Sequence, residues 1–282
     1  TNGKGFYSPL VYVLECLRLG IRMLPPCVDD PGPGYRARNG NRIRVPLSSI
    51  KGLTAQLPLR ALRERRRGPF TSLRDFLRRV HPTREESELL LRAGTFDPFA
   101  EKIAPDRVCR TPLFWDIQWL TGAYAPGQDS LFADTPDHPK PPVSRTEPTR
   151  LERLNAEAEL LGFTASGHPL DRHPDIAWET YCPVAELNQH LGKEVTCCGL
   201  IVIDRVVDHD DGEQMKFITL ADRTGLVETQ MLKNTYKKFG LATVRYPVLE
   251  VTATVEPFDN ENGFTLNIHR AGEPRKRMNE FE

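Results

Sequence analysis

The chain has 282 residues, 39% of them hydrophobic, with 24 prolines and 38 basic against 38 acidic side chains. That length accommodates two domains, and so little apolar residue with so much proline favours small domains joined by exposed segments over one large core. No stretch approaches the roughly 18 apolar residues of a membrane span, and no apolar segment follows a basic N-terminus as in a signal peptide, so no membrane partner is expected.

The first predicted element is a helix from Ser8 to about Leu19, with Leu10, Val13, Leu14 and Leu17 on one face. Gly20 stops it, and Pro25-Pro26 and Pro31-Gly32-Pro33-Gly34 prevent a restart. Short helices with tight turns follow from about Ser48 to Phe96. One ends at Ser48-Ser49-Ile50-Lys51-Gly52, and a second runs from Leu59 to Arg67 before Gly68-Pro69. A third is capped by Thr71 or Ser72 and carries the stripe Leu73, Phe76, Leu77, Val80. A fourth spans Glu85 to Arg92 and closes at Gly94. A further helix is expected within Asp106 to Leu120, buried through Leu113, Phe114, Ile117 and Leu120. Between Pro126 and Pro148 proline recurs without periodicity, the pattern of an extended linker. Leu151 to Leu161 is again helical, through Leu151, Leu154, Ala158 and Leu161.

From Glu194 the period changes to two. Strands are expected from Glu194 and at Met215–Ala221, Leu226–Leu232, Tyr246–Val255 and Phe264–Ile268, with a short helix over Asn234–Phe239. Five strands with a helix after the third is the order of an OB barrel, and a small sandwich is the alternative. The fold expected is therefore multidomain α+β: a helix-hairpin-helix α-helical domain followed by a five-stranded OB-fold β-barrel.

The neutral total conceals a basic module. From Arg36 to Arg84 fourteen Lys or Arg face only Glu64 and Asp75, a net charge of +12, so the other residues sum to −12. Such a module is the electrostatic footprint of a nucleic-acid partner. Within it Ile50-Lys51-Gly52-Leu53 is a candidate helix-hairpin-helix turn. A glycine there lets backbone N–H groups and the next helix N-terminus approach a phosphate oxygen. The usual second glycine is Thr54, and an ordinary helix cap is the plainer alternative. The expected phosphate contacts are Lys51, Gly52, Thr54, Arg63, Arg65, Arg66, Arg67, Arg74, Arg78 and Arg79, positioning a duplex without reading its sequence.

Gln128-Asp129-Ser130-Leu131-Phe132 places two large apolar residues in a polar linker. Either they fold back on the chain or Leu131 and Phe132 enter a partner's pocket. Ser166-Gly167-His168-Pro169-Leu170 has no nucleophile near His168 and reads as a turn. Asp208, Asp210, Asp211 and Glu213 surround a glycine and read as a hairpin tip. Six cysteines include no C-x-x-C pair, and Cys197 and Cys198 are adjacent, which suits neither zinc nor a disulfide ladder. The expectation is reduced, mostly buried thiols in a cytosolic protein, with no catalytic residue, no metal and no cofactor. Lys193 to Glu282 carries a net charge of −3. Phe217, Tyr236, Phe239, Tyr246, Phe258 and Phe264 there either stack on single-stranded DNA or form core, and the charge opposes tight binding.

Together these residues resemble the C-terminal part of the bacterial DNA polymerase III alpha subunit family, the C-family polymerases. Gly5-Phe6-Tyr7-Ser8-Pro9, Tyr12, Glu15, Arg18, Gly20-Ile21 and Leu24-Pro25-Pro26 resemble the end of its fingers domain. Ile50-Lys51-Gly52-Leu53, Gly68-Pro69-Phe70, Ser72-Leu73-Arg74-Asp75-Phe76 and Ala93-Gly94-Thr95-Phe96-Asp97 resemble its tandem helix-hairpin-helix domain. Leu161-Gly162-Phe163 and Ser166 to Leu170 are similar to its connector. Gly199-Leu200-Ile201-Val202, Thr219-Leu220-Ala221-Asp222, Gly225 and Glu228 are similar to its OB strands. Thr54 and Thr95 depart from the pattern.

The resemblance implies the end of the fingers at 1–34 and tandem hairpins gripping duplex DNA at 35–100. It implies a helix and clamp-binding linker at 101–150, a connector at 151–192, an OB fold at 193–272 and a tail at 273–282. It makes Gln128, Ser130, Leu131 and Phe132 a sliding-clamp contact. It also implies a bacterial, cytoplasmic, nucleoid-associated protein acting in DNA replication, with the remainder of a polymerase as a further partner. The polymerase palm is not in this chain, which is expected to be inactive alone. A stand-alone helix-hairpin-helix and OB accessory protein and an error-prone lesion-bypass paralogue are the rival readings. The chain opens at Thr1 without methionine, and a longer natural chain is expected.

Overall fold

A computed structural model describes residues 7–103, 109–121, 146–208, 214–258 and 263–277. Its elements group into two units, Gly20–Pro169 and a second that joins the first nineteen residues to Leu170–Glu282. The expected helix-hairpin-helix region, 35–100, lies within the Gly20–Pro169 unit. Among the described residues no helix is long and apolar enough to cross a membrane.

Helix α1 (Pro9–Arg18) starts on a proline at its first turn, where no hydrogen-bonded N–H is lost. It buries Val11, Val13 and Leu14, and Leu10 packs against the barrel unit's smaller apolar cluster.

In the Gly20–Pro169 unit, strands β1 (Arg22–Leu24), β2 (Arg36–Arg38) and β3 (Arg42–Arg44) form a small sheet with β3 in the centre. The sequence reading had no strands there, because three-residue strands are too short to show a period. After a 3-10 turn at Leu47–Ser49 come α2 (Gln56–Arg67), α3 (Leu73–Val80), α4 (Arg84–Arg92), α5 (Asp97–Ile103), α6 (Thr111–Leu120) and α7 (Arg150–Leu161). Ser72 caps α3 by accepting the Asp75 N–H, and Leu73, Phe76, Leu77 and Val80 are all buried, the stripe that the spacing predicts. Phe70, Phe76 and Phe96 stack edge to face at 5.0 and 5.1 Å to form the centre of this core. Helix α2 begins three residues before the expected Leu59, and α5 was not expected at all.

Helix α7 corrects a predicted face. Leu151 is exposed, and the buried set is Leu154, Glu157, Leu160 and Leu161. The inward residue is a carboxylate because the following turn requires one. Glu157 Oε2 accepts the Ala165 and Ser166 N–H groups at 2.8 and 2.9 Å, and Thr164 Oγ1 donates to Gly167 O at 2.7 Å. The segment around Ser166-Gly167-His168 is thereby a turn fastened to α7.

The expected proline-rich linker, Pro126 to Pro148, lies almost wholly outside the described residues. Thr121 ends α6, and Glu147 returns to the start of the same helix. Its carboxylate accepts the Arg110 and Thr111 N–H groups at 2.9 and 2.7 Å. Thr121 and Glu147, on either side of 122–145, therefore both belong to the Gly20–Pro169 unit. Residues Gln128, Ser130, Leu131 and Phe132 lie outside the described residues.

In the other unit, β4 (Glu194–Asp208), β5 (Gln214–Ala221), β6 (Leu226–Met231), β7 (Val248–Pro257) and β8 (Phe264–Gly272) close a barrel in the order β4-β5-β6-β8-β7. Helices α8 (Lys233–Phe239) and α9 (Ala242–Arg245) follow β6. All pairings are antiparallel except β6 with β8, which closes the barrel in parallel. Closure with a helix after the third strand is the OB arrangement, and the sandwich alternative is set aside. Leu187, Ile218, Leu220, Met231, Leu249, Val251, Val255, Leu266 and Ile268 fill the interior. Asp208 pairs with Gln214 across the β4–β5 hairpin, and Asp210, Asp211 and Glu213 lie outside the described residues. Asp222 organises the β5–β6 turn by accepting from Thr224 and Gly225, and its second oxygen accepts the Val184 N–H at 2.8 Å, fastening the connector to the barrel. All six cysteines are free thiols, of which Cys27, Cys197 and Cys198 are buried. Burial pushes the Cys197 and Cys198 thiols up to about 12, which makes them inert packing residues.

Candidate nucleic-acid interface

The unit contains two glycine turns between helices, and their states differ. In the first, Gly52 has φ of +87°, a conformation that favours glycine, and a side chain there would meet Leu89 Cδ1 at 2.9 Å. The turn is held from below. Lys51 N–H donates to Leu160 O at 2.9 Å, Ile50 is buried, and Thr54 N–H and Oγ1 donate to Glu86 Oε1 at 3.2 and 2.7 Å. Among the described residues, the Gly52 and Leu53 N–H groups donate to no acceptor, and α2 starts two residues after Thr54. Two undonated N–H groups just ahead of α2, next to the exposed Lys51 ammonium, have the chemistry of an anion-binding corner.

The second turn is closed. Gly94 has φ of +82°, and a side chain there would meet Arg110 Nη2 at 2.7 Å. Arg110, itself buried, makes a bidentate ion pair with Asp97, 2.7 Å on each arm, and donates to Arg92 O. The Gly94, Thr95 and Asp97 N–H groups all donate within the chain, and Thr95 is fully buried. A phosphate cannot reach this turn without breaking the Arg110–Asp97 pair. Sequence reasoning weighed Gly52 and missed the closing role of Arg110, which lies sixteen residues beyond Gly94.

The arginine residues expected around Gly52 are not gathered at it. Arg63, Arg65, Arg66 and Arg67 occupy the C-terminal end of α2, some 15 Å along the helix from the turn at about 1.5 Å per residue. There they complement the negative end of the helix dipole. Glu64, only 5% exposed, accepts from Arg67 at 2.9 Å and pairs with Arg63 at 3.5 Å. Arg65 Nε donates to Asp29 O at 3.2 Å.

Arg79 is committed to the fold. Its Nη1 donates to Pro69 O and Asp75 Oδ2, both at 3.1 Å, and its Nη2 donates to Gly68 O at 3.1 Å and to Glu64 O. The guanidinium lies 4.4 Å from the Phe70 ring centroid. It caps the carbonyls that α2 leaves unpaired at its end. Arg79 and Thr54, both expected as phosphate contacts, are engaged in ties within the fold. Arg74 is half-buried and has an interaction of its own. Lys51, Arg66 and Arg78 are exposed, and their side chains hold no ion pair among the described residues.

In the barrel unit the six aromatic candidates separate. Tyr236, Phe239, Tyr246 and Phe264 pack against the interior, whereas Phe217 and Phe258 are 41% and 39% exposed. Phe217 stands opposite Arg205 on β4. Among the described residues no three His, Cys, Asp or Glu side chains gather as a metal site.

A family profile for the helix-hairpin-helix motif matches residues 20–104, opening at the residue that opens the first unit. The chain is 30% identical over 238 residues to the DNA polymerase III subunit alpha of Thermus aquaticus, covering 80% of this chain and 19% of that subunit. The Aquifex aeolicus subunit is 29% identical over 245 residues, covering 84% and 20%. The Escherichia coli K12 subunit is 26% identical over 265 residues, covering 88% and 22%. The second OB-fold domain of replication protein A from Methanococcus maripaludis aligns over 32% of this chain and 91% of that one, at 16% identity and a TM-score of 0.22. The chain spans about a fifth of the length of the curated relatives it matches. In sequence and fold it is a relative of the C-terminal part of the bacterial DNA polymerase III alpha subunit.

Proposed function

We propose that this chain is the DNA-holding and clamp-docking portion of a replicative DNA polymerase in the bacterial cytoplasm. The carrying observation is the open Lys51-Gly52-Leu53 turn, with undonated N–H groups at the start of α2 and a free ammonium beside them. A backbone phosphate of duplex DNA is the ligand with matching charge and size, and contacts of this kind position a duplex without reading bases. Lys51, Gly52 and Leu53 hold the phosphate. Arg63, Arg66 and Arg67 add attraction from the far end of α2, and Arg78 adds it from α3. The division suggested by sequence then becomes a grip within Gly20–Pro169 and an OB barrel after the connector.

Gln128, Ser130, Leu131 and Phe132 dock a sliding clamp. Support comes from the resemblance: in sequence order these residues fall where the family carries its clamp motif, between the helix-hairpin-helix domain and the OB fold. Weak duplex contacts and clamp docking on one chain together raise the effective concentration of an attached active site at the primer end. The OB barrel, with its −3 charge, contributes little single-strand affinity by itself.

The reading is tested by anisotropy of a labelled duplex titrated with the 282-residue chain at several salt concentrations. Binding that weakens steeply with salt and ignores sequence supports it. No duplex binding at low salt would refute it.

A further inference from the structure

The three-stranded sheet carries a charge pattern that the hairpin turn does not need. In register, Arg22 on β1 stands beside Arg42 on β3, which stands beside Arg38 on β2. One step along, Leu24, Arg44 and Arg36 form a second row. Alternation along a strand puts these two rows on one face. The residues between them, Met23, Ile43 and Ala37, belong to the opposite face, where Met23 is buried. One face of a sheet only three residues long therefore holds five arginines.

Its described carboxylate partner is Asp30. Asp30 pairs with Arg38 through both oxygens, and lies 3.6 Å from Arg36 and 3.7 Å from Arg44. Arg44 also donates to Pro25 O at 2.6 Å. Arg22 and Arg42 are exposed neighbours in register and have no ion pair among the described residues. Like charges directly opposite each other in a sheet destabilise it. Nothing in the packing requires arginine at these two positions. Arg38, Arg42 and Arg44, with Leu24, Ala37 and Asn39, line an open depression of about 450 Å³ at the sheet.

We propose that this arginine face is a second phosphate-binding surface for duplex DNA, separate from the hairpin turn. The proposal rests on the reading that the unit binds duplex DNA. A lone small anion would need two of these guanidinium groups, whereas two rows of arginine match successive phosphates along a strand. Guanidinium forks suit phosphate oxygens bidentately. Asp30 keeps three of the five in place without neutralising the face, and Arg22 and Arg42 remain for the ligand.

The test is duplex anisotropy with the whole chain carrying Arg22→Gln and Arg42→Gln. Each lost phosphate contact removes about 0.9 from the log–log salt slope, so the slope falls by about 1.8 and affinity near 0.15 M salt falls roughly 30-fold. The melting temperature stays level or rises, because a like-charge pair is relieved. Arg22→Lys with Arg42→Lys retains the wild-type slope. An unchanged slope and affinity in the Gln variant, with wild-type binding intact, would overturn this surface and leave the hairpin reading standing. A melting temperature lowered in both variants would show that the arginines only hold the sheet. Absence of duplex binding by the wild type would remove both readings.

Discussion

Glu86 and Thr54 join the two hairpins through one carboxylate. Glu86 Oε1 accepts Thr54 N–H and Oγ1–H, while Oε2 accepts Thr83 N–H at 2.9 Å in a capping box at the start of α4. Thr54 therefore stands where a second hairpin glycine is usual, because this chain uses a hydroxyl to fasten the turn to the next helix. Burial alone pushes the Glu86 carboxyl up, but the hydrogen bonds from Thr54 and Thr83 outweigh it and hold the pKa below the usual value. A depressed carboxyl stabilises the fold above its unfolded pKa, near 4.3, and that contribution disappears as pH falls through the lower folded value. Glu86→Ala is expected to cost about 1–3 kcal/mol in urea unfolding near neutral pH. Relative to wild type, the variant's deficit shrinks below about pH 4. A deficit that is constant from pH 7 to pH 3 would contradict the assignment.

Arg79 supplies a stability prediction with a built-in control next door. Removing its guanidinium leaves the Glu64, Gly68 and Pro69 carbonyls without their side-chain donor. Arg79→Ala should cost about 2–4 kcal/mol, and Arg79→Lys should recover only part of it because one ammonium cannot span those acceptors. Arg78→Ala, on the exposed side of the same helix, should stay within about 0.5 kcal/mol. Equal effects at the two positions in thermal or urea melts would contradict the capping role.

The stripe of α3 and the barrel strands were legible because each has a clean period, 3.6 in one and two in the other. Leu73, Phe76, Leu77 and Val80 are buried as their spacing predicts, and β5 and β6 fall within a residue of the expected bounds. The small arginine sheet was not legible, since three-residue strands show no period and β1 joins β3 from beyond the stretch 25–34. The roles of Arg79, Arg110 and Glu157 were hidden for a related reason. Each is a charged residue drawn inward by unpaired backbone groups or an opposite charge elsewhere in the fold, which no local pattern records. At the candidate site the Gly52 turn was legible from its glycine, but charge counting could not show that α2 separates it from Arg63–Arg67.

The barrel makes a prediction about single strands. Phe217 is exposed beside Arg205, the arrangement on which a base could stack. A stacked base is worth about 1–3 kcal/mol, a five- to 150-fold change in affinity. The −3 charge of Lys193 to Glu282 leads to the opposite expectation: Phe217→Ala changes oligo-dT affinity of the chain less than twofold. A loss of tenfold or more would show that groove geometry prevails over net charge.

For the clamp peptide, removing two fully buried apolar anchors costs about 3–6 kcal/mol, most of a micromolar interaction worth about 8 kcal/mol. Replacing Gln128, Leu131 and Phe132 with Ala should abolish calorimetric binding to a bacterial sliding clamp and leave duplex DNA binding unchanged. Undiminished clamp affinity would exclude the peptide as the dock.

The most direct measurement is the salt dependence of duplex binding by Lys51→Gln. Lys51 is exposed, its side chain holds no ion pair among the described residues, and it sits at the open turn rather than at the closed one. The account predicts unchanged thermal stability, a slope reduced by about 0.9, and affinity roughly five-fold weaker near 0.15 M salt on every sequence tested. Wild-type slope and affinity in this variant would contradict phosphate binding at the first hairpin.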